Sequence, residues 1–426
     1  MPGTFRSLKG TKDILPGEVE TWQSVEAAIH TVMRAFHYRE IRTPVLEATG
    51  LFARSIGEHT DIVGKEMYTF VDRGGDSVTM KPEGTAAVLR AFVQHSLGEQ
   101  AVLNKLYYLG PMFRQERPQA GRLRQFHQFG AEAIGSTSPA LDVESMLIPL
   151  EVGRQLGVND LALQVNSVGC EKCRPAYRRL LISELEKVAP RLSEESRARL
   201  QHNPLRILDS KDERDQRLTE QAPMIKDHLC KECGHHFEEV QVLLQDLGQP
   251  FVVNGRLVRG LDYYTKTAFE ITSNALGAQD AVAGGGRYDL LVEELGGSAT
   301  PGVGFAAGIE RFLLVMSKKG INPPASSSPT LFLAALDPAS RRWVFNKAVQ
   351  LRAAGIPIEI DYLDRSVKAQ MREANRQQSR YVLVVGEREL ETGKAQLKNM
   401  KNGKEVPVAL DNLASVLQSY EKEEES

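Results

Sequence analysis

Arginine recurs where β-prone sequence meets glycine, aromatic or small residues: Arg114, Arg122, Arg259 and Arg311. Any one alone reads as a surface ion pair. Several converging on one cleft would suit phosphate chemistry. A guanidinium binds phosphate oxygens bidentately and neutralises charge as a phosphoryl centre is displaced. In the run KPEGTAAVLR, Glu83 and Thr85 offer a carboxylate and a hydroxyl two residues apart. Such a turn either caps a helix or captures a substrate ammonium group. The four cysteines form two pairs, Cys170 with Cys173 and Cys230 with Cys233. Two C-x-x-C units can supply four thiolates to one tetrahedral zinc, if the 56 intervening residues fold the pairs together. The alternatives are free thiols, a redox role, or a smaller site using His235 or His236. There is no G-x-x-x-x-G-K-[ST] loop, and Gly284-Gly285-Gly286 by itself is a tight turn. ATP, if handled, is handled without a P-loop.

The elements that must position these groups are legible in part. Trp22, Val25, Ile29, Met33 and Phe36 recur at helical spacing after Pro16 and Gly17, which predicts a helix. Residues 38–45 are β-prone but contain Pro44, which suggests an edge or interface strand. Residues 102–135 read as two antiparallel strands joined by a long loop. Two-residue alternation puts Gln128 and Glu132 on one face. The loop carries four arginines and one glutamate from Arg114 to Arg124, a composition unsuited to packing. Residues 170–250 show leucine and charge at helical spacing, the mark of an inserted helical module. Residues 257–271 and 281–288 are β-prone again. The run 302–306 leads into a helix containing Gly308, Glu310 and Arg311. Residues 322–329, NPPASSSP, form the clearest linker. Beyond it, strand alternates with helix, which predicts a small α/β domain with a largely parallel sheet.

The 426 residues are 42% hydrophobic and 25% charged, enough for two or three soluble domains. Wholesale disorder, collagen-like and disulfide-scaffold classes are excluded. The charge-free run 320–336 holds three prolines and three serines, so it is no membrane span. The opening MPGTFRSLKGTKD lacks an apolar signal core, so a cytoplasmic protein is expected, and disulfides are not. With 53 basic and 55 acidic residues, a global polycation is excluded. Residues 341–404 nevertheless hold 14 Lys/Arg against 7 Asp/Glu. That segment is either a polyanion surface or a solvated helical face.

The segments, in this order, resemble the class II aminoacyl-tRNA synthetases. Pro44 after a long helix resembles motif 1, the run FRQE (113–116) with its arginine-rich loop resembles motif 2, and GVGFAAGIER (302–311) resembles motif 3. The run VRGLDYY (258–264) and the combination of KPEGTA with FHQFGAE are more specific. Together they resemble the histidyl-tRNA synthetase family over nearly the whole chain, including KGTKD (9–13) and the C-terminal domain. The resemblance implies an α+β catalytic core with a mixed, mostly antiparallel sheet over residues 1–169 and 251–321. It also implies a helical insertion over 170–250, a linker at 322–329, and a C-terminal α/β anticodon-binding domain over 330–426. A homodimer built on motif 1 is expected.

The activity implied is ATP-dependent attachment of histidine to the 3′ end of tRNA(His) through a histidyl-adenylate, with Mg²⁺ accompanying ATP. By the same resemblance, the turn Glu83-Gly84-Thr85 holds the α-amino group of histidine, assisted by Gln128. Glu132 and Tyr264 bind the imidazole, and Tyr263 lines the pocket. A neutral imidazole presents one donor and one acceptor, so a carboxylate and a phenol suit it. Arg114 bridges the substrate carboxylate and the α-phosphate, and Arg259 contacts that phosphate from the opposite side. Glu116 and Arg311 hold ATP, and the loop 117–124 reaches the acceptor end of the tRNA. Lys81 stands where the family commonly has arginine. Two other readings remain. A non-catalytic, histidine-sensing regulatory subunit of ATP phosphoribosyltransferase resembles the same core, but typically lacks the C-terminal domain and the catalytic arginines. A nucleic-acid-binding module using residues 341–404 alone leaves the middle of the chain unexplained.

Overall fold

The structure is a computed structural model that describes residues 5–57, 60, 62–117, 122–258, 261, 263–277, 280–322 and 328–425. The chain forms two compact units, Met1–Pro323 and Pro324–Ser426.

The described residues of the first unit form eleven strands. In chain order they are β1 (Arg39–Glu40), β2 (Leu46–Ala48), β3 (Tyr68–Val71), β4 (Ser77–Met80), β5 (Asn104–Phe113) and β6 (Gln125–Ile134). After these come β7 (Ala162–Gly169), β8 (Val252–Val253), β9 (Thr265–Thr272), β10 (Ala281–Arg287) and β11 (Gly302–Gly308). The main sheet runs β1-β5-β6-β11-β10-β9-β7-β8, and β2-β4-β3 form a small separate sheet. Only the outermost pairings, β1 with β5 and β7 with β8, are parallel. The mixed, mostly antiparallel sheet expected for the core is therefore present. The run 38–45 pairs over two residues only, Arg39 and Glu40, at the edge of the sheet, where a nearby proline is tolerated. Within the run 257–271 the described strand begins at Thr265.

Alternation along the strands sorts the two faces. On one face Phe129, Ala131, Ala133, Phe305 and Ala307 pack under the helices Val19–Ala35, Pro139–Gln155 and Ile309–Lys318. The first of these helices buries Trp22, Val25, Ile29, Val32 and Met33, while Phe36 falls at its C-cap. On the other face Leu106, Tyr108, Ile134, Ala268 and Tyr288 pack with the helix Thr85–Gln94. The even-numbered residues of β6, Gln128 and Glu132 among them, belong to this second face.

Between β7 and β8 the chain is helical, from Arg174–Glu186 to Lys231–Asp246, around its own cluster of Tyr177, Leu181, Leu185, Leu200 and Ile207. The second unit carries β12 (Leu331–Ala335), β13 (Ile358–Ile360), β14 (Tyr381–Val385), β15 (Lys394–Asn399) and β16 (Glu405–Ala409), ordered β13-β12-β14-β15-β16. Two of its pairings are parallel and two antiparallel, so the expectation of a largely parallel sheet holds for half of it. Among the described residues, no helix is long and apolar enough to cross a membrane.

Candidate active site

Glu132 is the buried centre of the site, with no solvent exposure. Its Oε1 accepts from Thr85 Oγ1 at 2.7 Å and its Oε2 from the Tyr288 hydroxyl. Burial pushes the Glu132 carboxyl up to about 8, against the opposing pull of those two hydroxyls. Glu83 is also buried; its Oε2 accepts from Thr85 N at 2.7 Å and its Oε1 from Ala86 N at 2.8 Å. The carboxylate thus caps the helix Thr85–Gln94, the plain alternative for this turn. Each oxygen keeps a further lone pair, so capping does not preclude ammonium capture. Burial raises the Glu83 carboxyl, and the N–H groups of Ala86 and Thr85 oppose it.

Tyr263 and Tyr264, just before β9, are buried beside this group; their rings lie 4.7 Å apart, and Tyr263 meets Tyr288 edge-on at 5.9 Å. Glycines let these groups approach one another closely. A Cβ on Gly304 would sit within bonding range of Glu132 Oε2, and one on Gly84 would enter the Tyr108 ring. A Cβ on Gly286 would lie 2.8 Å from Tyr264 Cδ1.

Gln128, two and four residues before Gly130 and Glu132 on the same strand, lines a cleft of about 460 Å³. Its Oε1 is buried and has no hydrogen-bond partner among the described residues. A buried acceptor left in this way awaits a donor. The same cleft is lined by Arg114, Glu116, Arg122 and Arg311. Arg114 is held by Nε donating to Pro82 O at 2.9 Å, with its guanidinium 5.3 Å from the Phe126 ring centroid. Glu116 accepts from Arg122 at 3.2 Å, and Arg311 Nε donates to Ala281 O at 3.0 Å. Burial, and then the charge of Arg122, lower the Arg311 pKa. A cleft that brings cations together at a cost in solvation suits an anionic ligand. Arg259 lies outside the described residues; Val258 beside it lines this cleft. Lys81 is buried with Nζ 3.4 Å from Thr43 O, and burial lowers its pKa.

The cysteine pairs come together. Their four Sγ atoms all lie within 4.8 Å of one another, with Cys170 at 3.7 Å from Cys173 and 3.9 Å from Cys230. Four sulfurs at ~2.3 Å from one tetrahedral ion stand ~3.8 Å apart, so the cluster fits a metal and none of these thiols is in a disulfide. His236 serves elsewhere: its Nε2 lies 3.1 Å from Asp142 Oδ1, in a buried group with Arg287.

A model of the histidyl-tRNA synthetase family matches residues 10–312, and a model of an anticodon binding domain matches residues 346–420. The chain belongs to the histidyl-tRNA synthetase family. A histidine–tRNA ligase of Halothermothrix orenii is 50% identical over 413 residues, covering 97% of this chain and 99% of that protein. An apo crystal structure of S. aureus histidyl-tRNA synthetase is 38% identical with a TM-score of 0.84, covering 97% of this chain and 100% of that one. A Bacillus halodurans structure described as an ATP phosphoribosyltransferase regulatory subunit/histidyl-tRNA synthetase is 21% identical with a TM-score of 0.64, covering 91% and 99%. At that identity the likeness is one of fold.

Within this synthetase-family core, the structure gathers Glu83, Gly84, Thr85, Glu132, Tyr263 and Tyr264 into one buried cluster, and sets Arg114, Glu116, Gln128 and Arg311 around a cleft. Sequence reasoning missed Tyr288 and Tyr108. Tyr288 closes the run AVAGGGRY, and its glycines, spaced to admit neighbouring side chains, were the available signal.

Proposed function

We propose that the chain activates histidine with ATP and then transfers it to the 3′ end of tRNA(His). The observation that carries this reading is the buried Glu132 carboxylate, on the same strand face as the unpartnered Gln128 acceptor and next to an arginine-lined cleft. Glu132 accepts the imidazole N–H, and the Tyr264 hydroxyl donates to the other ring nitrogen. Glu83, Thr85 and Gln128 take the α-ammonium. Arg114 and Arg259 flank the substrate carboxylate and the α-phosphate, so that attack proceeds in line without a covalent enzyme intermediate. Glu116 and Arg311 hold the rest of ATP. Mg²⁺ accompanies ATP, and the cleft carboxylates Glu116, Glu270 and Asp280 are oxygen ligands of the type it takes.

The unit from residue 330 onward binds the anticodon end of the tRNA, and residues 170–250 act as a helical insertion in a core of residues 1–169 and 251–321. Cys170, Cys173, Cys230 and Cys233 hold a structural zinc. The protein works in the cytoplasm as a homodimer joined through the motif 1 region, where Leu46, Phe70 and Val71 are exposed. ATP–pyrophosphate exchange with each of the twenty amino acids, without tRNA, tests the activation step. Exchange with histidine alone is expected. Histidine binding without exchange would instead favour the regulatory subunit, and a monomer by light scattering would refute the dimer.

A further inference from the structure

The zinc site ascribed above to the four cysteines has a destination in the fold. Cys170 follows directly on β7, whose last residue, Gly169, has φ +66°. A Cβ there would lie 2.9 Å from Cys173 Cβ, so glycine lets the strand end run against the cluster. The residue after Cys173 is Arg174. Its Nε donates to Val168 O at 3.0 Å and its Nη2 donates to Tyr264 O, the backbone carbonyl of a pocket tyrosine.

The residues inside the two C-x-x-C turns continue the connection. Lys172 of the first turn lies 3.5 Å from Glu232 of the second. Glu232 in turn lies 3.1 Å from Lys266, which also pairs with Asp289 at 3.3 Å. Lys266 has φ +50°, a conformation that a side-chain-bearing residue keeps only when its surroundings hold it. Asp289 is the neighbour of Tyr288, the tyrosine bonded to Glu132. Both ends of the imidazole pocket, Tyr264 and Tyr288, are therefore tied to the cysteine turns.

We propose that the metal–thiolate cluster positions the histidine pocket. The metal fixes the two C-x-x-C turns, and Arg174 is the positioning residue that transmits this to Tyr264. The inference rests on the zinc reading and adds a consequence to it: histidine recognition depends on the metal, whereas ATP recognition does not. Outer partners of a metal's ligands commonly change metal affinity or activity ~10–100-fold when removed.

The test uses the full chain purified without chelator. Metal content is measured by plasma mass spectrometry, histidine affinity by calorimetry, and the KM for each substrate by pyrophosphate exchange. One zinc per chain is expected. Removing it should weaken histidine binding roughly 10-fold or more while the KM for ATP stays within about twofold, and zinc alone should restore binding. Arg174→Met keeps the cysteines intact. It should retain the zinc and the circular dichroism spectrum yet raise the KM for histidine, and Arg174→Lys should recover part of the loss. Protein without metal would overturn both the zinc reading and this inference. Protein that holds zinc but binds histidine equally well after stripping would overturn the inference alone. So would an Arg174→Met enzyme in which the KM values for histidine and ATP rise together.

Discussion

Replacing Glu132 with glutamine separates what the buried carboxylate does from the space it fills. In the structure both carboxylate oxygens accept hydroxyl protons, from Thr85 and from Tyr288. Glutamine keeps one acceptor and turns an NH₂ toward the other hydroxyl, whose O–H must rotate away so that its oxygen accepts. The imidazole N–H also loses a charged acceptor, a bond contributing ~1.5–3 kcal/mol. The loss of that charged acceptor sets the loss in histidine affinity, roughly 10–10²-fold. The wild type should show a distinctive pH dependence. Its Glu132 carboxyl is raised to about 8 in the empty pocket, so below that pH the acceptor must shed a proton before it can take the imidazole N–H. Histidine affinity should therefore climb between about pH 7 and 8, by up to ~10-fold per pH unit, and level off above, with proton release on binding. Calorimetry in buffers of different ionisation enthalpy measures both quantities. In Glu132→Gln this limb should vanish. A flat wild-type profile across this range, or a variant that binds histidine within fivefold of wild type, would refute the assigned role.

Arg259→Ala should leave the circular dichroism spectrum unchanged and lower adenylate formation by orders of magnitude; near-normal exchange would end its assignment. Gly304→Ala should raise the KM for histidine and cost ~1–3 kcal/mol of stability, because the new Cβ displaces the Glu132 carboxylate. Unchanged histidine kinetics would contradict the geometry. Asp142→Ala strips Arg287 and His236 of a shared, fully buried partner and should cost ~3–5 kcal/mol in chemical denaturation. A loss below ~1 kcal/mol would mean that the buried arginine finds other partners.

The spacing of Trp22, Val25, Ile29 and Met33 was enough to place the first helix, because one face of it is wholly buried. The two long strands β5 and β6, and the common face of Gln128 and Glu132, followed from two-residue alternation. The extent of neighbouring strands did not follow, because β propensity over 38–45 met a partner strand only at Arg39 and Glu40. In the second unit, β15 and β16 were missed: KAQLKN buries only Ala395 and Leu397, too weak an alternation to stand out among lysines. The site was legible as residue types and the pocket was not. Tyr288 meets Glu132 because β6, β11 and β10 lie side by side, and Thr85 because the helix it begins packs on that face, facts of topology rather than of local pattern. The two cysteine pairs were visible, but their meeting depended on how the residues between them fold.

The pairing of β6 with β11 also bears on how the chain is made. Phe129 of β6 packs against Phe305 and Phe312, with ring centroids 5.9 and 5.7 Å away. About 170 residues separate the two strands, and a ribosome adding ~5–20 residues per second needs ~10–30 s to supply them. Throughout that interval β5 and β6 stand as a nascent hairpin with one edge unpaired and an aromatic face uncovered, the condition under which growing chains aggregate or recruit chaperones. A chain truncated just before Gly302 should bind a hydrophobic dye that the full-length protein leaves unbound; equal dye binding by the two would remove the argument. The late strand that completes the pocket for a substrate is, during synthesis, the one that seals the core.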